Sequence, residues 1–169
     1  MQAVVVYESH WGNTEAVARA IAEGLGPDAV ALTTNQAGAP VIAGVELIVA
    51  GAPVMGFRLP TEGMIEGLRS APGADTSNAP MRTWLDRLPD GSGAYAAFET
   101  GLWWSPGGAT GAIGRALEAA GYRAIAKGHR FVVEDKDGPL SEGELEKARQ
   151  WGAELAAAMR NSVEPTLIR

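Results

Sequence analysis

The sequence predicts an α/β fold in which a five-stranded parallel sheet carries helices on both faces. Short strand-like runs alternate with amphipathic helical segments along the chain, as in folds built from βαβ units. Two of these runs, 3–7 and 47–51, are continuously apolar, which is typical of strands buried on both faces. No repeat or linker divides the 169 residues, so we expect one domain over 1–160 and a C-terminal tail over 161–169.

The strand-like runs, in chain order, lie at residues 3–7, 29–33, 47–51, 94–98 and about 124–133. Two doubly wound topologies are common for such a chain, one with six strands and one with five. Five strands in this length favour the second, with strand order 2-1-3-4-5 and right-handed crossovers.

Helical periodicity predicts the elements between the strands, at residues 14–25, 61–70, 80–88, 110–120 and 141–160. Gly26-Pro27 is expected to end the first of these helices, and Gly121 the fourth. Ser141 and Glu144 have the spacing of a capping box at the start of the last helix.

Composition excludes several classes of function. A net charge of −6 argues against binding to nucleic acid or anionic membranes and favours a basic partner. The absence of cysteine excludes disulfides, thiolate metal sites and cysteine nucleophiles. No signal-peptide pattern and no apolar run of about 20 residues is present, so we expect a cytoplasmic protein.

The ligand site is expected where the carboxyl ends of the strands meet. In an open α/β sheet a ligand binds at the switch point of the strand order, here between strands 1 and 3. The loops to consider are therefore 8–14, 51–60 and 99–109.

The first loop, Ser9-His10-Trp11-Gly12-Asn13-Thr14, joins strand 1 to helix 1. Free backbone N–H groups and the helix dipole at such a junction attract an anion. Because residues 2–18 contain no lysine or arginine, the anion would be bound by neutral donors alone. The alternative is a conventional helix N-cap, for which serine, asparagine and threonine are equally suited.

A longer pattern around this loop resembles a known family. The residues Val5-Val6-Tyr7-x-Ser9-x-x-Gly12-x-Thr14-x-x-x-Ala18-x-x-Ile21 match the flavodoxin signature at every defined position. The chain resembles the flavodoxin-like FMN-binding family along most of its length, and within it the short-chain flavodoxin domains of actinobacteria and archaea. The resemblance implies a flavodoxin-like three-layer sandwich in which Ser9 to Thr14 surround the 5′-phosphate of FMN. His10 and Trp11 are expected to contribute backbone amides, or alternatively to shield the phosphate with their side chains.

The second loop contains turn-forming and apolar residues suited to one wall of a flavin ring. The resemblance assigns to this wall the residues Ala52, Pro53, Val54, Met55, Gly56 and Phe57. Gly56 is the candidate for the backbone change beside flavin N5, because glycine tolerates both signs of φ. Val54 is a departure, since many members of the family carry a hydroxyl residue there.

The third loop contains two adjacent tryptophans, which a loop rarely buries together. The resemblance assigns cofactor contacts here to Glu99, Thr100, Gly101, Trp103 and Trp104, with one tryptophan covering the ring. The alternative is a tryptophan packed into the seam between helix and sheet. The usual Gly-x-Gly-Asp pattern with its tyrosine is missing.

These expectations combine into a non-covalent FMN protein that transfers one or two electrons between redox partner proteins with a basic docking face. No catalytic side chain and no metal are expected, and the missing long insertion of tetrameric relatives favours a monomer. One alternative is an FMN-dependent NAD(P)H or quinone oxidoreductase on the same fold. Another is a regulatory or interaction protein that has lost the flavin, which the departures at Val54 and in the third loop would explain.

Overall fold

The computed structural model describes residues 1–163. It contains one parallel sheet, whose strands are β1 (Ala3–Tyr7), β2 (Ala29–Thr33), β3 (Leu47–Pro53), β4 (Ala94–Gly101), β5 (Arg123–Ala124) and β6 (His129–Val132). Their order is β2-β1-β3-β4-β5, and β6 also pairs with β4. The predicted fold class and the predicted strand order are confirmed.

The predicted fifth strand is divided into β5 and β6, both of which pair with β4. Tyr95 pairs with Ala124, whereas Phe98 pairs with His129, so the edge contains two more residues than β4 between these pairs. The extra residues leave the ladder beside the start of the fifth helix, where Gly128 lies against Thr110. The interruption is therefore an irregularity of the edge and does not alter the topology.

The helices are α1 (Asn13–Leu25), α2 (Ala39–Ile42), α3 (Glu62–Leu68), α4 (Met81–Asp86), α5 (Thr110–Ala119) and α6 (Glu144–Val163). α2 is a single turn that the sequence analysis missed. α6 continues three residues past the predicted domain end at residue 160, and residues 164–169 of the predicted tail lie outside the described part of the chain. No helix within residues 1–163 has the length and apolar character needed to cross a membrane.

The two faces of the sheet bury separate hydrophobic clusters. Val5 packs on the side of α1 and α6, while its neighbours Val4 and Val6 pack on the side of α4 and α5. The alternation continues along β3, where Val49 belongs to the first cluster and Ile48 to the second. Both apolar runs are thus buried on both faces, as predicted.

The start of α6 is built differently from the predicted capping box. Glu144 is buried, and its carboxylate accepts a hydrogen bond from the backbone N–H of Val132 at 2.8 Å and one from Lys147 Nζ at 2.8 Å. The N–H of Glu144 donates to the carbonyl of Ser141 at 3.2 Å. The capping-box prediction is wrong because the glutamate satisfies a donor on the edge strand.

Two glycines allow α1 and α6 to approach closely. A Cβ atom at Gly24 would overlap the carbonyl oxygen of Arg149, and one at Gly152 would overlap that of Ile21. Overlap with backbone is relieved only when a helix shifts. We expect Gly24→Ala to destabilise the protein by about 1–3 kcal/mol in urea unfolding.

Gly67 in α3 is the matched control, since it is exposed and a Cβ atom there has no neighbour within 4 Å. Gly67→Ala should stabilise the protein by about 0.5–1 kcal/mol, because alanine is the better helix former. Equal effects of the two substitutions would contradict the close approach of α1 and α6.

Candidate functional site

A cavity of about 640 Å³ opens at the carboxyl ends of β1, β3 and β4. The first loop contributes Ser9, His10, Trp11, Asn13 and Thr14 to its lining. The second loop contributes Pro53, Val54, Met55, Gly56 and Phe57, and the third contributes Thr100, Gly101 and Trp104. The structure thus brings thirteen of the predicted site residues around one cavity.

Four predicted site residues do not line this cavity. Gly12 is the N-cap of α1, and Ala52 is fully buried in the sheet. Trp103 is 78% exposed and lies outside the cavity wall, in contrast to Trp104. Glu99 is buried below the third loop. Both tryptophans are exposed, so the alternative of a tryptophan packed in the helix–sheet seam is wrong.

The first loop turns into α1 through Gly12, whose φ of 90° is a left-handed conformation that glycine adopts without strain. The N–H of Gly12 donates to Ser9 Oγ at 3.2 Å. Because glycine has no side chain, the conventional N-cap considered as the alternative is not formed by this residue. The first N–H groups of α1 are thus left without that side-chain cap beside the cavity.

Thr14 connects the first loop to the third. Its side chain is buried, and its hydroxyl lies 2.8 Å from the hydroxyl of Thr100. A hydroxyl has one hydrogen and two lone pairs. When Thr100 donates in this pair, the hydrogen of Thr14 remains available to a ligand in the cavity.

The ring of His10 faces the protein. Its Nε2 lies 2.7 Å from the Glu8 carboxylate and its Nδ1 lies 2.7 Å from the carbonyl oxygen of Asp75. Since a carbonyl oxygen and a carboxylate only accept, the doubly protonated ring satisfies both. Burial lowers the pKa of His10, but the hydrogen bonds to Glu8 and Asp75 outweigh burial and raise the pKa above its usual value.

The His10–Glu8 pair fixes the first loop to the segment that precedes α4. The second oxygen of Glu8 accepts from the N–H of Met81 at 2.6 Å, and the carbonyl of His10 accepts from the N–H of Asp75 at 2.8 Å. The hydrogen bonds of the His10 ring named above are both to other residues of the protein. The interpretation that His10 shields a ligand with its side chain is therefore not the one that the structure favours.

The second loop is a tight hairpin. Met55 and Arg58 exchange backbone hydrogen bonds of 2.9 and 3.2 Å, with Gly56 and Phe57 at φ values of 56° and 65° between them. Phe57 is the only non-glycine residue of the described range with positive φ, a conformation that is costly for an aromatic residue. Its carbonyl accepts from the N–H of Gly108 at 3.1 Å, which connects the second loop to the third.

The third loop is held by Arg130. Its guanidinium donates to the carbonyls of Leu102 at 2.9 Å, Ser105 at 2.7 Å and Gly107 at 3.0 Å, and to the Glu99 carboxylate at 2.9 Å. Glu99 also accepts from the backbone N–H groups of Ala109 and Thr110 at the start of α5. Glu99 was predicted to contact the cofactor, but it lies outside the cavity lining and supports the third loop through Arg130 and the start of α5.

Sequence reasoning missed two parts of the cavity wall. One is the end of α3 and the turn after it, with Leu68, Ala71 and Pro72, and the other follows β6, with Val133, Lys136 and Asp137. Leu102 and Ser105 of the third loop were also missed. The rule that ligands bind at the carboxyl ends of strands would have indicated the segment after β6, had it been applied to the fifth strand.

Comparison with family models and with curated proteins gives no match. Among solved structures the chain is similar to a flavodoxin from the domain Archaea, at 20% identity and a TM-score of 0.67, over 95% of this chain and 99% of that one. A Streptococcus pneumoniae TIGR4 flavodoxin matches at 18% identity and a TM-score of 0.64, over 93% of this chain and 99% of that one. A flavodoxin, WrbA-like protein from Agrobacterium tumefaciens matches at 18% identity and a TM-score of 0.57, covering 95% and 98%.

These likenesses, at low identity but over nearly the full length of each chain, establish a flavodoxin-like fold. The predicted fold resemblance is confirmed. Membership of the FMN-binding family, and the subtype within it, remain predictions.

Proposed function

We propose that the cavity binds one FMN non-covalently and that the protein transfers electrons through it. The observation that carries this proposal is that one cavity has hydrogen-bond donors at one end and apolar walls at the other. The N-terminus of α1, with Ser9 and Thr14, provides donors at one end, whereas Met55, Phe57 and Trp104 provide apolar walls. FMN has the same two ends, a phosphate and a planar ring.

The donor end fits a phosphate without a conventional capping side chain. Gly12 leaves N–H groups of α1 free, and the hydroxyl of Thr14 has a hydrogen to donate when Thr100 is the donor in the pair of hydroxyls. The fixed position of His10 keeps the backbone of the first loop in place before a ligand arrives, which lowers the ordering cost of binding.

The apolar end fits the ring. Phe57 is held on a strained turn and Trp104 on the loop that Arg130 fixes, so both aromatic groups are positioned by other residues. When bound, FMN supplies the electron transfer, and the two loops set the polarity around its ring. No side chain is assigned as an acid or base.

The kind of redox partner is inferred from the net charge of the protein. With a net charge of −6 the protein is suited to a redox partner with a basic face, and exposed Trp103 lies in the sequence between Leu102 and Trp104, which line the cavity. A monomeric state and a cytoplasmic location stay predictions.

An FMN-dependent NAD(P)H or quinone oxidoreductase is the second candidate. Phe57 is 55% exposed and Trp104 57% exposed, so a planar second substrate has apolar surface to stack on. Reduction of the bound flavin by NAD(P)H without an added reductase would select this candidate. Reduction only in the presence of a reductase would select the electron carrier.

Replacing Thr14 by valine tests the phosphate end. We expect Thr14→Val to weaken FMN binding about tenfold or more, because a hydrogen bond to a charged group contributes about 1.5–3 kcal/mol. Riboflavin, which has no phosphate, should bind as it does to the native protein. Dissociation constants from fluorescence titration measure both effects.

Thr34→Val is the matched control for Thr14→Val, because Thr34 is also buried and its hydroxyl donates to the carbonyl of Ala79 at 2.6 Å away from the cavity. It should leave the ratio of FMN to riboflavin affinity unchanged. Equal losses of FMN and riboflavin binding in Thr14→Val would refute the phosphate assignment.

A further inference from the structure

The segment after β6 forms a closed turn at the edge of the cavity. We call residues 133–140 the edge turn. Val133 and Leu140 form an antiparallel bridge at its base. The N–H of Glu134 donates to the carbonyl of Pro139 at 2.8 Å, and the N–H of Gly138 donates to that of Asp135 at 3.0 Å. The backbone of the edge turn is therefore fixed by its own hydrogen bonds.

The edge turn lies against the first loop. Gly138 has a φ of 106°, a conformation that favours glycine, and a Cβ atom there would be 2.7 Å from Asn13 Oδ1, so the edge turn packs closely against the Asn13 side chain. Asn13 is the first residue of α1. The tip of the edge turn is thus placed beside the helix end where we propose that the phosphate binds.

The edge turn brings two charged side chains to the cavity. Lys136 is the only lysine or arginine, and Asp137 the only carboxylate, among the described residues that line it. Within residues 1–163 the ammonium of Lys136 makes no hydrogen bond or ion pair, and the Asp135 carboxylate accepts from the backbone N–H of Lys136 at 2.7 Å. The side chains of Lys136 and Asp137 are both exposed.

We propose that Lys136 contacts the phosphate of the bound flavin nucleotide and that Asp137 repels this phosphate. Lys136 thereby raises, and Asp137 lowers, the preference of the site for phosphorylated over unphosphorylated flavin. This inference rests on the proposed function. A lysine provides a point charge on a flexible four-carbon stem, which suits a phosphate approached from the side. The adjacent carboxylate repels the same phosphate and limits the net attraction.

The two charges lead to effects of opposite sign. Lys136→Gln should weaken FMN binding about two- to fivefold, and Asp137→Asn should strengthen it by a similar factor, the range typical of exposed charge pairs. Neither substitution should change riboflavin binding. Both effects should shrink at about 1 M salt, where the screening length falls to about 3 Å.

Lys127→Gln is the matched control, because Lys127 is an exposed lysine outside the cavity lining. The experiment measures dissociation constants of FMN and riboflavin for the native protein and the three variants at two salt concentrations. Opposite shifts in Lys136→Gln and Asp137→Asn, confined to FMN and absent in Lys127→Gln, support the proposal. Opposite signs cannot arise from a general loss of folding.

Two other results overturn it in distinguishable ways. If the native protein prefers FMN but Lys136→Gln binds it as Lys127→Gln does, the assignment of Lys136 is wrong and the proposed function stands. If the native protein binds FMN no more tightly than riboflavin, the phosphate site itself fails, and this inference fails with it.

Discussion

Replacing Arg130 by methionine is expected to destabilise the protein by about 3–5 kcal/mol, one of the two largest effects that we predict for a single substitution. The change removes the cation beside the Glu99 carboxylate, which is 6% exposed, and leaves that buried charge without its counter-ion. It also removes the donors to the carbonyls of Leu102, Ser105 and Gly107. Chemical unfolding followed by circular dichroism measures the loss.

Arg123→Met is the matched control for Arg130→Met. Arg123 is an exposed arginine on the same sheet edge, so its replacement should change stability by less than about 0.5 kcal/mol. Glu99→Gln combined with Arg130→Met should cost less than the sum of the single changes, because the pair is then removed together. Equal stability of the Arg130 and Arg123 variants would contradict the role of Arg130.

The same substitution should affect the proposed flavin site. Once Arg130 no longer fixes the third loop, Trp104 loses its position in the cavity wall. We expect weaker binding of both FMN and riboflavin, because the apolar end serves both ligands. This distinguishes the Arg130 effect from those of Thr14 and Lys136, which concern FMN alone.

Replacing His10 by phenylalanine is expected to cost about 3–5 kcal/mol at pH 6. Phenylalanine retains a ring but donates nothing, so the Glu8 carboxylate, 2% exposed, loses its cation and the Asp75 carbonyl loses its donor. The first loop would then be attached less firmly to the segment before α4. Chemical unfolding at several pH values measures both the cost and its pH dependence.

The pH dependence has a defined sign. The folded state binds the His10 proton more tightly than the unfolded state, because the hydrogen bonds to Glu8 and Asp75 outweigh burial and raise the pKa of His10. This stabilisation is complete below the unfolded pKa of about 6.5 and is lost as the pH rises through the higher folded pKa. We expect the native protein to lose stability above about pH 6.5 and His10→Phe to lack that decline.

The other histidine is the control for this titration, since the chain contains two. Burial lowers the pKa of His129, so its contribution to stability rises with pH below about 6.5 and is constant above it. His129→Phe keeps a ring beside Phe131 and Trp151 and should retain the decline above pH 6.5. A decline that persists in His10→Phe would contradict the ion pair.

The layout of the fold could be predicted because it depends on local patterns. Continuous apolar runs identified β1 and β3, and helical periodicity with Gly26 and Gly121 at the ends located α1 and α5. The single turn α2 has too few residues to show a period. The division of the fifth strand lies where Gly128 packs against Thr110, a contact that no local pattern reveals.

The candidate site could be predicted less completely, because its supporting contacts are distant in sequence. The resemblance placed Glu99 at the cofactor, just after the predicted strand 94–98, but its partner Arg130 is 31 residues further on. His10 was considered without Glu8 as its partner, although the two are only two positions apart in the sequence. Lys136 lines the cavity from a turn whose Gly138 packs on Asn13, a contact that cannot be read from the sequence.

The central claim is that the cavity holds FMN, and titration of the purified protein with FMN tests it most directly. Trp11 and Trp104 line the cavity, so flavin binding should quench tryptophan emission and change the visible flavin spectrum in parallel, with saturation at one FMN per chain. That result is the one we predict. Unchanged tryptophan emission and an unchanged flavin spectrum at excess FMN would contradict the claim and favour a flavin-free interaction protein.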